Sequence, residues 1–588
     1  MTRPTAASAA SPIGSSALAV AITLLVVTRC VVFFAPQVLF DIDPALDPNP
    51  IGGLGPAGSL TLDVVLLGLC VVTLGQRWRS GDPIEGRLLA LAVLPLPVVL
   101  FHGITDAASL SRGVTWCAAA FAAVTIAHAM RRETTRTIIV AILIAGTVPV
   151  FVRGVANVTY EHADTVAQYE AQADAFLRAR GWEPGSPAAL VFERRLRQRH
   201  PSAWFITTNV FGTFAAFACV LSVGLALAGT RLTPRPGGAI GLFVLLAAGA
   251  GVLLILTGSK GAIAAGAGGV TLVVVTHALA RRAIAPRMGG LVGSGVVLAA
   301  LLAVVARGTV LPESFAGDRS LLFRWHYLVA AARMTATNPL VGVGPGHFQT
   351  AYVQHRPPRN PEEVTSAHSV FVDWSATLGV SAIAWIVLAF LFVVAAGRCL
   401  VAAEPGLDDA AARAPPALAT WLAAAAGGIA YLGAHACELH VIDELGLLFR
   451  VAGLAAFVLL VPLLAGVLGT FDPRATSRAL AAAAITVLVH AQVEMTMTRP
   501  GPAAWSWFVL AVAGAAAPTL VRPRARPVAA VALAVALAAT IWIAARGVVP
   551  AWRQEARLRE AAALVADPAG PRRLAAADRL RKAHAAMP

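Results

Sequence analysis

The sequence predicts an all-α polytopic membrane protein with about 12–15 transmembrane helices. Of its 588 residues, 57% are hydrophobic and only 13% are charged, and this charged fraction is about half the value typical of globular proteins. Runs of roughly 16 to 24 apolar residues recur through most of the chain, and each is near the length that crosses a bilayer. The composition therefore excludes a soluble globular enzyme and a disordered chain.

Fifteen apolar runs are candidate membrane spans. The first is interpreted as an uncleaved span, because it continues without a convincing cleavage site for a signal peptide. Two of the runs are short, at 88–103 and 503–520. The fifteen lie at 16–36, 60–76, 88–103, 113–130, 137–152, 206–228, 238–257, 262–280, 290–308, 374–397, 417–436, 448–470, 478–495, 503–520 and 527–546.

The basic residues are placed as topology signals. The 46 Lys and Arg exceed the 31 Asp and Glu by 15, an excess that in a soluble protein would suggest nucleic-acid binding. Here arginines cluster in alternate short loops, whereas the loop 37–59 contains neither Lys nor Arg. The basic side is therefore predicted to be cytoplasmic, with the N-terminus inside and the C-terminus outside. No nucleic-acid partner is required.

The six cysteines lie in or beside apolar runs without CxxC spacing, which argues against a zinc site or a disulfide framework.

Two long segments and the tail are predicted to lie on the outer side. The segment 153–205 contains two predicted helices, the second with Ser186 as its N-cap and running to about His200. The segment 309–373 opens with a helix capped by Asp318 and continues into a glycine- and proline-rich turn. The tail is interpreted as two amphipathic helices, either one tetratricopeptide-like pair or a basic tail on the membrane surface. The resulting divisions are 1–152, N-terminal membrane helices; 153–205, first outer loop; 206–308, central membrane helices; 309–373, long outer loop; 374–546, C-terminal membrane helices; and 547–588, outer tail.

Lys260 lies in the segment Thr257-Gly258-Ser259-Lys260-Gly261-Ala262, between two predicted spans. Its small neighbours let a ligand approach the backbone closely. A helix begins directly after this turn, and its free N–H groups suit a phosphate. The other interpretation is a tight interhelical turn with a lysine that extends to the interface.

An arginine cluster precedes the next span. Arg195 and Arg197 belong to the stretch FERRLRQRH, and Asn209 follows it at the start of the span. Guanidinium groups match diphosphate oxygens in a two-pronged geometry. For most of these arginines a solvated helix face is the alternative, so at most one or two are expected to reach a site.

The long outer loop supplies further candidates. Arg319 and Arg324 lie on its first helix, and His368 begins a helix at the outer face. A histidine there can accept a proton near neutral pH, although a lone histidine at a helix start is more often a cap or packing residue. Asp373, one turn later, either orients His368 or pairs with an arginine. Elsewhere, Arg29 and Asp63 fall at similar depth, which predicts an ion pair or a functional site.

The order of these features resembles the O-antigen ligase/O-antigen polymerase superfamily of bacterial membrane glycosyltransferases. The stretches that carry the resemblance cover residues 190 to 400, and two departures are Lys260 for the usual arginine and Ser369 for the usual asparagine. The stretches are RLRQRHPSAWFITTNVFG, TGSKGA, RWHYLVAAARMTATNPLVGVGPGHF and AHSVFVDWSATLGVSAIAWIVLAF.

The resemblance implies a GT-C-like fold in the bacterial inner membrane, with the active-site loops on the periplasmic side. It implies an inverting glycosyltransferase that takes a glycan from a polyprenyl-diphosphate donor to a sugar hydroxyl on a glycolipid or glycan, without metal or cofactor. His368 is then the candidate base. Ligase, polymerase and protein-glycosylating activities stay open, and a transporter or flippase for an anionic or lipid-linked substrate is the alternative. The candidate diphosphate ligands are Lys260, Arg324, Arg195, Arg197 and Arg319, and the candidate orienting residues are Asp373 and Asn209.

Overall fold

The computed structural model describes most of the chain. The ranges are 12–32, 53–82, 84–130, 133–205, 207–229, 237–280, 282, 284–312, 319–401, 415–439, 442–517, 520–521 and 526–565. The predicted Asp318 cap and the predicted second tail helix lie outside these ranges, so the tetratricopeptide-like pair stays a prediction. Within the ranges the secondary structure is helical and includes no strand.

The helices are numbered here in chain order. The first eight are α1 (Pro12–Thr28), α2 (Pro56–Arg79), α3 (Gly86–Val93), α4 (Leu96–Gly103), α5 (Ala107–Ala129), α6 (Glu133–Ala156), α7 (His162–Ala179) and α8 (Pro187–Leu196). The next eight are α9 (Thr208–Gly229), α10 (Gly237–Leu256), α11 (Lys260–Ala278), α12 (Pro286–Thr309), α13 (Arg319–Thr337), α14 (Phe348–His355), α15 (Val370–Leu378) and α16 (Ala382–Leu400). The last six are α17 (Ala417–Ala436), α18 (Glu444–Leu468), α19 (Pro473–His490), α20 (Pro502–Gly514), α21 (Arg526–Ile543) and α22 (Val549–Val565).

The predicted class, a polytopic helical membrane protein, is confirmed. In the described ranges, 12 helical segments are long and apolar enough to cross a membrane, and α1 and α20 are shorter apolar helices. Each of the fifteen predicted spans overlaps a helix or a helix pair within the described ranges. The run 88–103 forms the pair α3 and α4, and the run 478–495 falls on α19, which is not among the 12.

The centre of the bundle is formed by α5, α19 and α20. Every residue of α20 is buried, and α19 is buried along nearly its whole length. Both helices are rich in alanine, whose small side chain lets neighbouring helices approach closely. By contrast, only about a quarter to a third of the residues in α10, α11 and α12 are buried, and the rest are partly or fully exposed. Because these exposed faces are apolar, they suit contact with lipid tails.

The predicted helices of the first long loop are confirmed in α7 and α8. The first of these helices, α7, ends just before Gly181. The hydroxyl of Ser186 caps α8 by accepting a hydrogen bond from the Ala189 amide. Helix α8 ends at Leu196, short of the expected His200. Pro201 disfavours helical backbone at His200, the residue before it.

Two long-range contacts tie the N-terminal helices into the bundle. The guanidinium of Arg29 lies 3.5 Å from the Asp63 carboxylate, which confirms the predicted ion pair. A π-helical turn, Ala544–Val548, joins α21 to α22, the first helix of the tail. There the Glu555 carboxylate accepts a hydrogen bond of 2.7 Å from the Ala57 amide at the start of α2. The first tail helix is thereby anchored to the bundle.

Candidate active site

The glycine-rich turn after α13 supports helix α15. The amides of Val343 and Gly344 donate to carbonyls in the last turn of α15, at 2.9 and 3.0 Å. At Gly342 the backbone has a φ of +65°, and a Cβ there would lie 2.2 Å from the carbonyl carbon of Thr377. Only glycine fits both the conformation and this close approach. The turn therefore fixes α15 in position.

His368, two residues before the start of α15, has an uncommon backbone conformation. The φ of His368 is +56°, in the left-handed region that few non-glycine residues adopt. The surrounding bonds hold it there: the His368 amide donates to Ser366 Oγ at 2.9 Å, and Ser366 Oγ donates to Asp373 at 2.7 Å. Asp373 also accepts from the Ala367 amide at 2.7 Å. The carboxylate of Asp373 thus orders the backbone that carries His368.

The end of α19 meets the start of α15. The Val370 amide, one of the unpaired donors at a helix start, donates to the Ala491 carbonyl at 2.9 Å. The Ser369 hydroxyl donates to Gln492 at 3.1 Å. This docking brings residues more than 100 positions apart in sequence to the same point.

Glu494 lies at the centre of this junction. One of its oxygens, Oε1, lies 3.4 Å from Nδ1 of His368. The other, Oε2, accepts a hydrogen bond of 2.8 Å from the Asn209 amide and lies 3.5 Å from the guanidinium of Arg324. Arg324 also donates to the Val493 carbonyl at 2.6 Å. Three predicted site residues, His368, Arg324 and Asn209, are therefore brought together by a fourth that was not predicted.

The Glu494 carboxylate is buried, with 1% of its side chain exposed. Burial by itself raises the pKa of this carboxyl, but its contacts with His368 and Arg324 outweigh burial and hold its pKa well below the usual range. Sequence reasoning missed Glu494, although one signal was present. It falls inside the predicted apolar run 478–495, and an ionisable residue in such a run marks a functional site by default.

A cavity of about 960 Å³ opens beside this cluster, between α11, α12 and α19. At one end it is lined by Asn209, Lys260 and Arg324. Its walls further along are mostly apolar, formed by Ala264, Ala265, Gly268, Leu272, Val275, Val296, Ala300, Ala303, Ile485 and Val489, and Thr271, Thr486 and His490 also line the cavity. The cavity therefore combines a cationic end with an apolar trough. Within the described ranges, no three His, Cys, Asp or Glu side chains are grouped to hold a metal ion.

Lys260 is the first residue of α11. The turn before it needs glycine at position 258, where φ is +64°. The Ser259 hydroxyl caps the helix by accepting from the Ala262 amide at 3.4 Å. His200 packs on this turn, with its Nδ1 2.8 Å from the Leu256 carbonyl. The predicted turn at the end of a span is thus present, and its lysine lines the cavity.

The remaining predicted cations do not line this cavity. Arg197 is exposed and lies 3.8 Å from each of two carboxylates, Glu170 and Glu193, on the helices of the first loop. Arg195 is exposed on α8, and Arg319 is exposed at the start of α13. Their assignment to diphosphate binding stays a prediction.

Comparison with known proteins identifies the central part of the chain. Residues 241–387 match the family model described as O-antigen ligase. No curated protein and no solved structure matches the chain. The matched segment runs from α10 into α16 and includes Lys260, Arg324 and His368, whereas Asn209 and Glu494 lie outside it. Residues 241–387 thus carry an O-antigen ligase domain, and over this segment the resemblance to the O-antigen ligase/polymerase superfamily is confirmed.

Proposed function

We propose that the protein is a membrane glycosyltransferase that takes a glycan from a polyprenyl-diphosphate-linked donor and joins it to a sugar hydroxyl. The observation that carries the proposal is the cavity between α11, α12 and α19, with Lys260 and Arg324 at one end and an apolar trough beyond them. A polyprenyl diphosphate has the complementary structure, with two negatively charged phosphates attached to a long hydrocarbon chain.

The two cations have a defined task in this reaction. When the glycosyl–phosphate bond breaks, negative charge develops on the leaving diphosphate, and fixed positive groups stabilise it. Arg324 is held towards the cavity by its bonds to Val493 and Ser320. Lys260 stands at the start of α11, where the positive end of the helix dipole adds to its charge.

His368 is the proposed general base. The acceptor oxygen attacks the anomeric carbon, the bond from that carbon to the donor phosphate breaks, and the acceptor proton passes to the imidazole. One displacement of this kind inverts the anomeric centre. The imidazole lies beside Glu494, the same carboxylate that contacts the cavity-lining Arg324. In this proposal His368 acts on the side of the anomeric carbon that the acceptor attacks, and Lys260 and Arg324 act on the opposite side, at the leaving phosphate.

The position of these groups also argues for an enzyme over a transporter. Lys260 is the first residue of α11, and His368 lies just before α15. Arg324 lies in the second turn of α13, and Glu494 lies just after the last residue of α19. Transporter sites typically lie near the middle of the membrane on broken helices. A polar cluster at one set of helix ends suits a reaction in which a lipid headgroup meets a water-soluble acceptor.

The experiment uses the purified full-length protein in lipid vesicles with a polyprenyl-diphosphate-linked oligosaccharide and a sugar acceptor. We expect glycan transfer by the wild-type protein and a loss of about 100- to 10,000-fold in His368→Ala. The matched control is His355→Ala, a histidine of α14 that contacts neither Glu494 nor the cavity in the described ranges. The same vesicles report movement of labelled lipid donor between leaflets. Movement without transfer by the wild-type protein would overturn the proposal in favour of a flippase.

A further inference from the structure

The two oxygens of Glu494 have different partners from different parts of the chain. Oε1 accepts a hydrogen bond of 3.0 Å from the adjacent Met495 backbone amide and lies 3.4 Å from Nδ1 of His368. Oε2 accepts a hydrogen bond of 2.8 Å from the Asn209 side-chain amide and lies 3.5 Å from the Arg324 guanidinium. Apart from Met495, these partners come from the segment before α15, from α9 and from α13. A buried carboxylate that joins the proposed base to a proposed diphosphate ligand is well placed to orient both.

We propose that Glu494 is a positioning residue for the transfer reaction: it holds the Nδ1 proton of His368, so that Nε2 faces the acceptor, and it holds Arg324 at the cavity. The inference rests on the proposed function and extends it to a residue outside the matched family segment.

The chemistry follows from which atoms of His368 and Glu494 can carry a proton. A neutral imidazole carries one N–H, and an ionised carboxylate only accepts hydrogen bonds. With Glu494 next to Nδ1, that nitrogen keeps the proton, and the lone pair is left on Nε2. Nε2 then takes the proton of the attacking hydroxyl, and the imidazolium that forms is stabilised by the carboxylate, which itself stays ionised. The proton leaves Nε2 to water after the products separate.

Other charged or titratable groups surround this junction, and none in the described ranges replaces Glu494. Asp373 is the other nearby carboxylate, but its oxygens accept from Ser366 and from the Ala367 amide. Tyr327 of α13 packs with its ring 5.5 Å from the His368 ring. The other groups that face the pair are Arg324 of α13, His490 of α19, and Arg499, which follows the short helical turn before α20.

The test measures kcat against pH for the full-length protein in vesicles, with a polyprenyl-diphosphate-linked oligosaccharide as donor. In Glu494→Gln we expect kcat to fall at least about tenfold. We also expect the acid limb of the profile to move to lower pH, because the imidazolium loses its neighbouring anion. Glu494→Asp keeps the charge, so its acid limb should stay at the wild-type pH. A merely structural role would lower the amount of folded protein without moving this limb.

The matched control is Asn209→Ala, which removes a hydrogen bond to Oε2 and leaves Oε1 facing His368. Its acid limb should remain where the wild-type protein has it. The inference is overturned if Glu494→Gln keeps the wild-type kcat and acid limb, if Glu494→Asp moves the limb, or if Asn209→Ala moves it as far as Glu494→Gln does. Absence of transfer by the wild-type protein would instead overturn the proposed function, so the two failures are distinguishable.

Discussion

Two groups of charged side chains in this protein are built in opposite ways. The loop formed by α7 and α8 carries exposed arginines. Arg197 has 57% of its side chain exposed and lies 3.8 Å from each of two carboxylates that also contact solvent. The junction between α15 and α19 carries fewer charges, but Glu494 is almost fully buried and each of its oxygens has protein partners. The number of charges in a segment is therefore a poor guide to the site, whereas burial with directed partners is a good one.

Among the cations of these two groups, the largest effect on transfer is expected at Arg324. Arg324→Ala removes a fixed charge from the cavity, and transfer should fall by about 100- to 1,000-fold because the leaving diphosphate loses its stabilisation. Arg324→Lys keeps the charge without the guanidinium fork, so it should recover part of the rate. The measurement is the initial transfer rate, with binding of polyprenyl diphosphate alone followed in parallel. Wild-type transfer by folded Arg324→Ala would contradict the assignment.

The next effect in size is expected at Lys260. It lines the same cavity, but as a single ammonium at the start of α11. Lys260→Ala should reduce transfer by about tenfold, an estimate below that for Arg324 because a lysine is a point charge without paired donors. Lys260→Arg restores the residue usual in the family and should retain the rate. A lower rate in Lys260→Arg than in Lys260→Ala would contradict the assignment, because the position would then tolerate loss of the cation better than a larger cation.

The sequence was sufficient to predict the helices and to name some residues of the candidate site. The apolar runs locate the helices because the bilayer forces backbone bonds to be satisfied within each span. His368 and Lys260 could be singled out because they stand at helix starts beside recognisable turns, and Arg324 because it lies on the helix before the glycine-rich turn. Asn209 was named only as a candidate orienting residue, and the structure places its amide on Glu494.

The part that the sequence did not predict depends on tertiary packing. Glu494 is 126 residues from His368 and 170 from Arg324 along the chain, and no local motif surrounds it. Its position follows from the docking of the end of α19 against the start of α15. Likewise, the glycine-rich turn could be recognised as a motif, but its role in supporting α15 requires the contacts of Gly342 with the last turn of that helix.

A smaller effect is expected in the dependence of stability on pH. Glu494 has a pKa below its unfolded value, so its ionised form stabilises the fold above an unfolded pKa of about 4.3, and this stabilisation is lost as pH falls below that value. In detergent, the thermal midpoint of the wild-type protein should fall between about pH 5 and pH 3. The same midpoint in Glu494→Gln should fall less steeply. Parallel curves for the two proteins would contradict an ionised, stabilising carboxylate at this position.

The smallest effect is expected at Arg197, in the exposed group of charges. Its two ion pairs are exposed and long, and such pairs contribute little to stability because water and salt screen them. If the cluster on α8 only forms a solvated face, Arg197→Ala should change the transfer rate by less than about threefold, within the range usual for surface substitutions. Arg195→Ala, at another exposed position two residues earlier, is the matched comparison, measured at low and high salt. A loss as large as that of Arg324→Ala would mean that this loop approaches the donor during the reaction, and exposure in the resting structure would then be no guide to the site.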